Sequence, residues 1–168
     1  MSEVKTVSQA LRRIKELKGQ LAQVSTRMQT SICWTEPGNK PPYEYKRLEG
    51  QRRELVSELV TLKAKLAKTN SLTNIVVAGK TMSLQMAVFI LAESKAVVAL
   101  LQGLGIREGE ERRTVDYDIN HRPIYETIKI VSALSVLERD KEVATGEEAI
   151  NELNGIVEDA NHRTVLIE

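Results

Sequence analysis

The sequence predicts a mainly α-helical protein with a small β element, and three observations carry that expectation. Apolar residues recur three and four apart across residues 7–28, and again at heptad spacing across 48–66, which places each set on one helix stripe. Three of the four prolines, Pro37, Pro41 and Pro42, fall between those two stretches. Only one longer segment, IYETIKIV at 124–131, alternates with the β-branched content of a strand. A chain of 168 residues is expected to form a single domain over 1–168. Its parts would be a long antiparallel helical hairpin or coiled coil, a third apolar helix, a two-stranded β element and a C-terminal helix.

The first helix is expected over 6–31, with Val7, Ala10, Ile14, Leu17, Leu21, Val24 and Met28 on its stripe and Thr6 with Gln9 as a capping box. SICWTEPGNKPPYEY then reverses the chain. The second helix, 43–69, carries Leu48, Leu55, Leu59, Leu62 and Leu66, interrupted by Arg52. Two such helices pack antiparallel, each covering the other's stripe. Residues 74–81 read as a strand and a turn at Ala78-Gly79, after which Ser83 caps a third helix over 84–102. That helix is apolar well beyond one stripe, because Phe89, Ile90, Val97 and Leu100 broaden the face of Leu84, Ala87, Val88, Leu91, Val98 and Leu101. Gly103 and Gly105 end it, and residues 107–113, REGEERR, read as a charged, solvated loop. The strand at 124–131 would pair with 74–77. Ser135 caps a last helix over 136–162, in which Gly146 is a weak point, and the closing TVLIE is a last strand or a frayed end.

Composition excludes several function classes. Twenty-four basic and twenty-three acidic side chains give a net charge of +1, so no chain-wide field draws this protein to nucleic acid or an anionic membrane. Six aromatic side chains leave few platforms for base stacking. The pairs Arg12-Arg13, Arg52-Arg53 and Arg112-Arg113 each lie beside acids, which is the pattern of a solvated surface. Cys33 is the only cysteine, so no internal disulfide framework is expected, and MSEVKTVSQALRR lacks the apolar core of a signal peptide. The expected location is cytoplasmic on synthesis, with later incorporation into a virion or other assembly. Residues 82–104 are the most apolar stretch, but Glu93 and Lys95 sit in its middle, where a spanning helix would bury them at a cost.

Three motifs suggest chemistry and none completes it. Gly79-Lys80-Thr81 ends like a phosphate loop, yet the glycine required five positions before is Asn74, and Ile75-Val76-Val77 favours extended backbone. Asp116, Asp118 and Asn120 have the first three ligand spacings of a calcium loop, but the sixth and twelfth positions are His121 and Thr127. An acidic turn leading into a strand is the expectation there. His121, His162 and Cys33 have no metal-ligand spacing, and no cofactor, metal or catalytic set is expected within one chain. Asp116, Asp118 and His121 could complete a site only across a subunit interface.

The order of parts resembles the septicolysin-like family of short bacterial and phage-encoded proteins. The likeness rests on two long helices, then Thr69-Asn70, a hairpin closing on Gly79 and Thr81, an apolar helix containing Ala87, the strand IYETIKIV and a final long helix. The chain departs from the family at Phe89-Ile90-Leu91, where the family carries an arginine-aspartate pair. The resemblance implies an elongated helical coiled-coil fold, and the family name implies a cytolysin, an activity that fold likeness does not transfer.

These readings converge on a non-catalytic structural or assembly protein, such as a phage or bacterial particle component, that forms a homo-oligomer and contacts other particle proteins. Self-association is expected through Leu55, Leu59, Leu62, Leu66, Val88, Leu91, Val98 and Leu101, because the apolar stripes exceed what one slim chain shelters. The alternative is a membrane-active protein that inserts 82–104.

Overall fold

The structure, a computed structural model, describes residues 4–36, 38 and 43–167. It is mainly α with a minor β part, in the order α1 (Val7–Thr30), α2 (Tyr45–Leu72), β1 (Asn74–Val77), β2 (Lys80–Ser83), α3 (Leu84–Gly103), β3 (Gly109–Tyr117), β4 (Pro123–Ile130), α4 (Val136–Arg163). Pro37, Pro41 and Pro42, on which the expected chain reversal rests, lie outside the described residues. The chain divides into two compact units, Met1–Phe89 with Asn154–Glu168, and Ile90–Leu153.

In the first unit α1 and α2 lie against each other. Thr6 caps α1 by accepting from the Gln9 N–H, while the Gln9 side chain accepts from the Thr6 N–H. Of the seven stripe residues of α1, Val7, Ala10, Ile14, Leu17 and Val24 are buried. Ala10, Ile14 and Leu17 form the core with Leu62 of α2, and Leu55, Leu59 and Leu66 pack half-buried against it. Arg13 fixes the register: its Nε and Nη2 donate to the two Glu58 carboxylate oxygens at 2.7 and 3.0 Å. That fork holds the guanidinium above its ordinary pKa, against the opposing effect of burial.

The C-terminal residues close this unit. Val165 bridges Thr6, and the Leu166 N–H donates to the Lys5 carbonyl at 2.8 Å. The hydroxyl of Thr69, fully buried on α2, donates to the Lys65 carbonyl and accepts the Ile167 N–H at 2.9 Å. Residues 164–167 thus make an isolated bridge at Val165 rather than a full strand.

Two strand pairings correct the sequence reading. Strand 74–77 pairs not with 124–131 but with Lys80–Ser83, through a two-residue turn in which Ala78 has φ +48° and Gly79 φ +77°. Such a turn matches strand twist and lets a hairpin close locally, so β1 needs no distant partner. Residues 107–113 are not a solvated loop throughout, because Gly109–Tyr117 is a strand paired antiparallel with Pro123–Ile130. Two of its four consecutive charges stand opposite the other sign across the ribbon, Glu110 opposite Lys129 and Arg113 opposite Glu126.

In the second unit Ser135 caps α4: its hydroxyl oxygen accepts the Glu138 N–H, and Glu138 Oε2 accepts from the Ser135 N–H and hydroxyl at 3.0 and 2.7 Å. Here α4 meets the C-terminal half of α3. The Gln102 amide donates to Glu147 at 2.9 Å, and Arg139 Nη1 reaches the Leu104 carbonyl. A Cβ added to Gly146 would stand 2.6 Å from Val98 Cγ2, so this glycine permits the approach of the two helices. Its place in the helix serves this packing.

Candidate association surface

The residues expected to carry self-association are buried or half-buried within the chain. Leu62, Leu91 and Val98 are buried, while Leu55, Leu59, Leu66, Val88 and Leu101 are half-buried. The apolar side chains that do face water on α3 are others: Met86, Phe89, Val97 and Leu100, with Leu104 just beyond its end.

At 100° per residue Met86 and Phe89 fall opposite the buried Leu84 and Ala87 in the first unit, and Val97 and Leu100 opposite the buried Leu91 and Val98 in the second. The helix starts where the Ser83 hydroxyl accepts the Met86 N–H at 3.1 Å and the Thr73 carbonyl accepts the Leu84 N–H at 2.7 Å. Glu93 interrupts the exposed arc, leaving Met86 and Phe89 on one side and Val97, Leu100 and Leu104 on the other. Phe89 is 58% exposed and Leu100 66%, values far from those of a core helix. Ala96, Ala99 and Gly103 beside them are exposed as well, so another backbone can come close. The signal was present in the sequence as the breadth of the apolar face. What it lacked was the identity of the residues that α4 would leave uncovered.

The ribbon of β3 and β4 is the second exposed apolar feature. Every residue of β3 is exposed, and in β4 only Ile128 and Ile130 are half-buried. Val115, Tyr117, Ile124 and Tyr125 face water, and Ile119 at the tip is 98% exposed.

The other sequence candidates have structural roles. Gly79 closes the β1–β2 turn, and Lys80 and Thr81 belong to β2. Asp118 Oδ1 accepts the Asn120 and Arg122 N–H groups at 2.8 Å, and Asp116 Oδ1 accepts the Tyr117 N–H, so both carboxylates brace the hairpin end. His121, at φ +56°, completes that turn. Among the described residues no group of three His, Cys, Asp or Glu side chains is placed to hold a metal. Cys33 is exposed.

No family model matches the sequence, and no curated protein matches it either. The chain is similar to a solved structure, that of a functionally unknown conserved protein from Corynebacterium diphtheriae. The TM-score is 0.71 at 16% identity, over 96% of this chain and 98% of that one. At that identity the likeness shows the fold alone.

Proposed function

We propose that this chain is a non-catalytic assembly protein whose copies associate through the exposed face of α3, with α1 and α2 as a coiled-coil hairpin that stiffens each subunit. The observation that carries this reading is the exposure of Val97 and Leu100 on a helix whose opposite face is already packed. An uncovered apolar patch of this kind marks a protein or membrane contact. A second copy of the chain is the occupant that the charges favour. Glu93 stays at the rim of an interface built on Val97, Leu100 and Leu104, but it would be buried in a helix crossing a bilayer. A helical subunit of this kind suits a septicolysin-like particle component.

The membrane reading draws on the same helix, since Leu84–Gly103 has a mean hydropathy of 1.8 and is long and apolar enough to cross a membrane by length and composition, with 22% of it buried. Two assays separate the readings. Light scattering on the V97E/L100E variant is expected to show a lower mass than the unaltered chain, because charge in an apolar contact forces apart what it joins. Liposomes carrying a self-quenched dye are expected to stay intact with the unaltered chain. Dye release together with an unchanged mass in the variant would transfer the helix to the membrane reading.

A further inference from the structure

The α3 contact leaves the β3–β4 ribbon unaccounted for. A two-stranded ribbon exposed along all of β3, with only Ile128 and Ile130 of β4 half-buried, is marginal in water and gains from further strands, and both of its edges carry unpaired backbone groups. The partner that can be tested for fit on the sequence itself is a second copy.

When one strand pairs antiparallel with its own copy about a twofold axis, residues directly opposite must point to the same face of the sheet. Their numbers then share parity, and one residue sits on the axis facing itself. On β3 that condition is hostile. Centring on Glu110, Glu111, Arg112 or Arg113 sets like charges face to face, and the register shift between Thr114 and Asp116 breaks the strand beyond them. The β3 edge is therefore guarded against self-pairing.

The β4 edge is not. After Pro123, which has no N–H to give, residues 124–130 have Thr127 as their midpoint. Centred there, Ile124 faces Ile130, Tyr125 faces Lys129, Glu126 faces Ile128, and Thr127 faces Thr127. No like charges meet directly, and Arg113 stands opposite Glu126 in its own ribbon. Centring on Glu126 or Lys129 restores a like-charge pair. Centring on Ile128 pushes Ile124 across to Ser132, past the end of the strand. We infer that the β4 edge pairs with the β4 edge of a second copy about Thr127, giving a four-stranded intermolecular sheet.

This inference rests on the reading that copies associate, and adds a contact distinct from α3. Two different twofold contacts on one chain build either a closed tetramer or an open chain of subunits.

The test uses the full chain with T127K and T127E, each of which sets like charges on the axis, and V97E/L100E as a separate arm. Analytical ultracentrifugation is expected to give a species larger than a dimer for the unaltered chain, and a drop to dimer for each Thr127 variant alone. An equimolar mixture of T127K and T127E should regain the larger species, because lysine then faces glutamate; a variant that merely misfolds has no such rescue. An unchanged mass in both Thr127 variants, or a loss that mixing does not restore, overturns the β4 inference. If V97E/L100E still yields monomer in that case, the α3 reading stands without it. If V97E/L100E changes nothing while the Thr127 variants and their mixture behave as expected, the α3 reading falls and the ribbon contact remains. A monomeric unaltered chain overturns both.

Discussion

Thr69 shows how much one side chain can hold. Its hydroxyl is fully buried and serves two backbone groups, the Lys65 carbonyl within α2 and the Ile167 N–H of the C-terminal segment. Thr69→Val keeps the shape and removes both bonds, leaving the Ile167 N–H without its acceptor. The expected cost is about 1–3 kcal/mol, read by urea unfolding, with the C-terminal segment cut earlier by carboxypeptidase. An unfolding midpoint equal to that of the unaltered chain would show that the hydroxyl holds nothing. Ala78 is the opposite case, a side chain in the left-handed region where alanine is disfavoured by roughly 1–2 kcal/mol. Ala78→Asn supplies the Asn-Gly pair that a turn of this geometry prefers, and is expected to raise the thermal midpoint by a few degrees. A lower midpoint would contradict the turn assignment. Neither role was legible from composition. The turn at Ala78-Gly79 could be located from its glycine, but Thr69 reads in sequence as one more polar helix residue until the distant Ile167 is brought to it.

At the scale of elements, the contact of α4 with α3 in the second unit turns on Gly146. Gly146→Ala gains about 1 kcal/mol in helix propensity, yet the new methyl meets Val98, whose β-branched side chain cannot swing aside. Net destabilisation is expected, and Val98→Ala in the same chain should recover most of it; a double-mutant cycle with no coupling would remove the close approach. The α4 cap gives a pH signature. Hydrogen bonds from the Ser135 hydroxyl, and then from its N–H, hold the Glu138 carboxyl below its ordinary pKa. A carboxyl lowered on folding adds stability that is complete above its unfolded value, near 4.3, and is lost as the pH falls through the lower folded value. An NMR titration is expected to show Glu138 moving back up in Ser135→Ala, and no movement would refute the cap.

The elements themselves were readable to different degrees, for physical reasons. The stripe of α1 named five residues that the fold buries, because a helix packed on one neighbour writes its period into the sequence. Ser83 and Ser135 announced the starts of α3 and α4 by the same local chemistry. The strand β3 was hidden, since GEERRTVDY carries no apolar alternation, and a ribbon exposed on both faces has no core to impose one. Its partner β4 was visible and was matched to the wrong strand, because pairing depends on which turn closes first in space.

For the whole molecule, the apolar excess was legible and its location was not. The sequence reading assigned association to residues that lie buried or half-buried, because it could count apolar faces without knowing which pairs would consume them. Among the described residues, the uncovered apolar side chains include the face of α3 around Val97 and Leu100 and those of the β3–β4 ribbon. Sedimentation equilibrium of the unaltered chain over a range of micromolar concentrations addresses this most directly. The account predicts a mass that is a multiple of 18.8 kDa and that falls toward it on dilution. A constant 18.8 kDa across the whole range would contradict it.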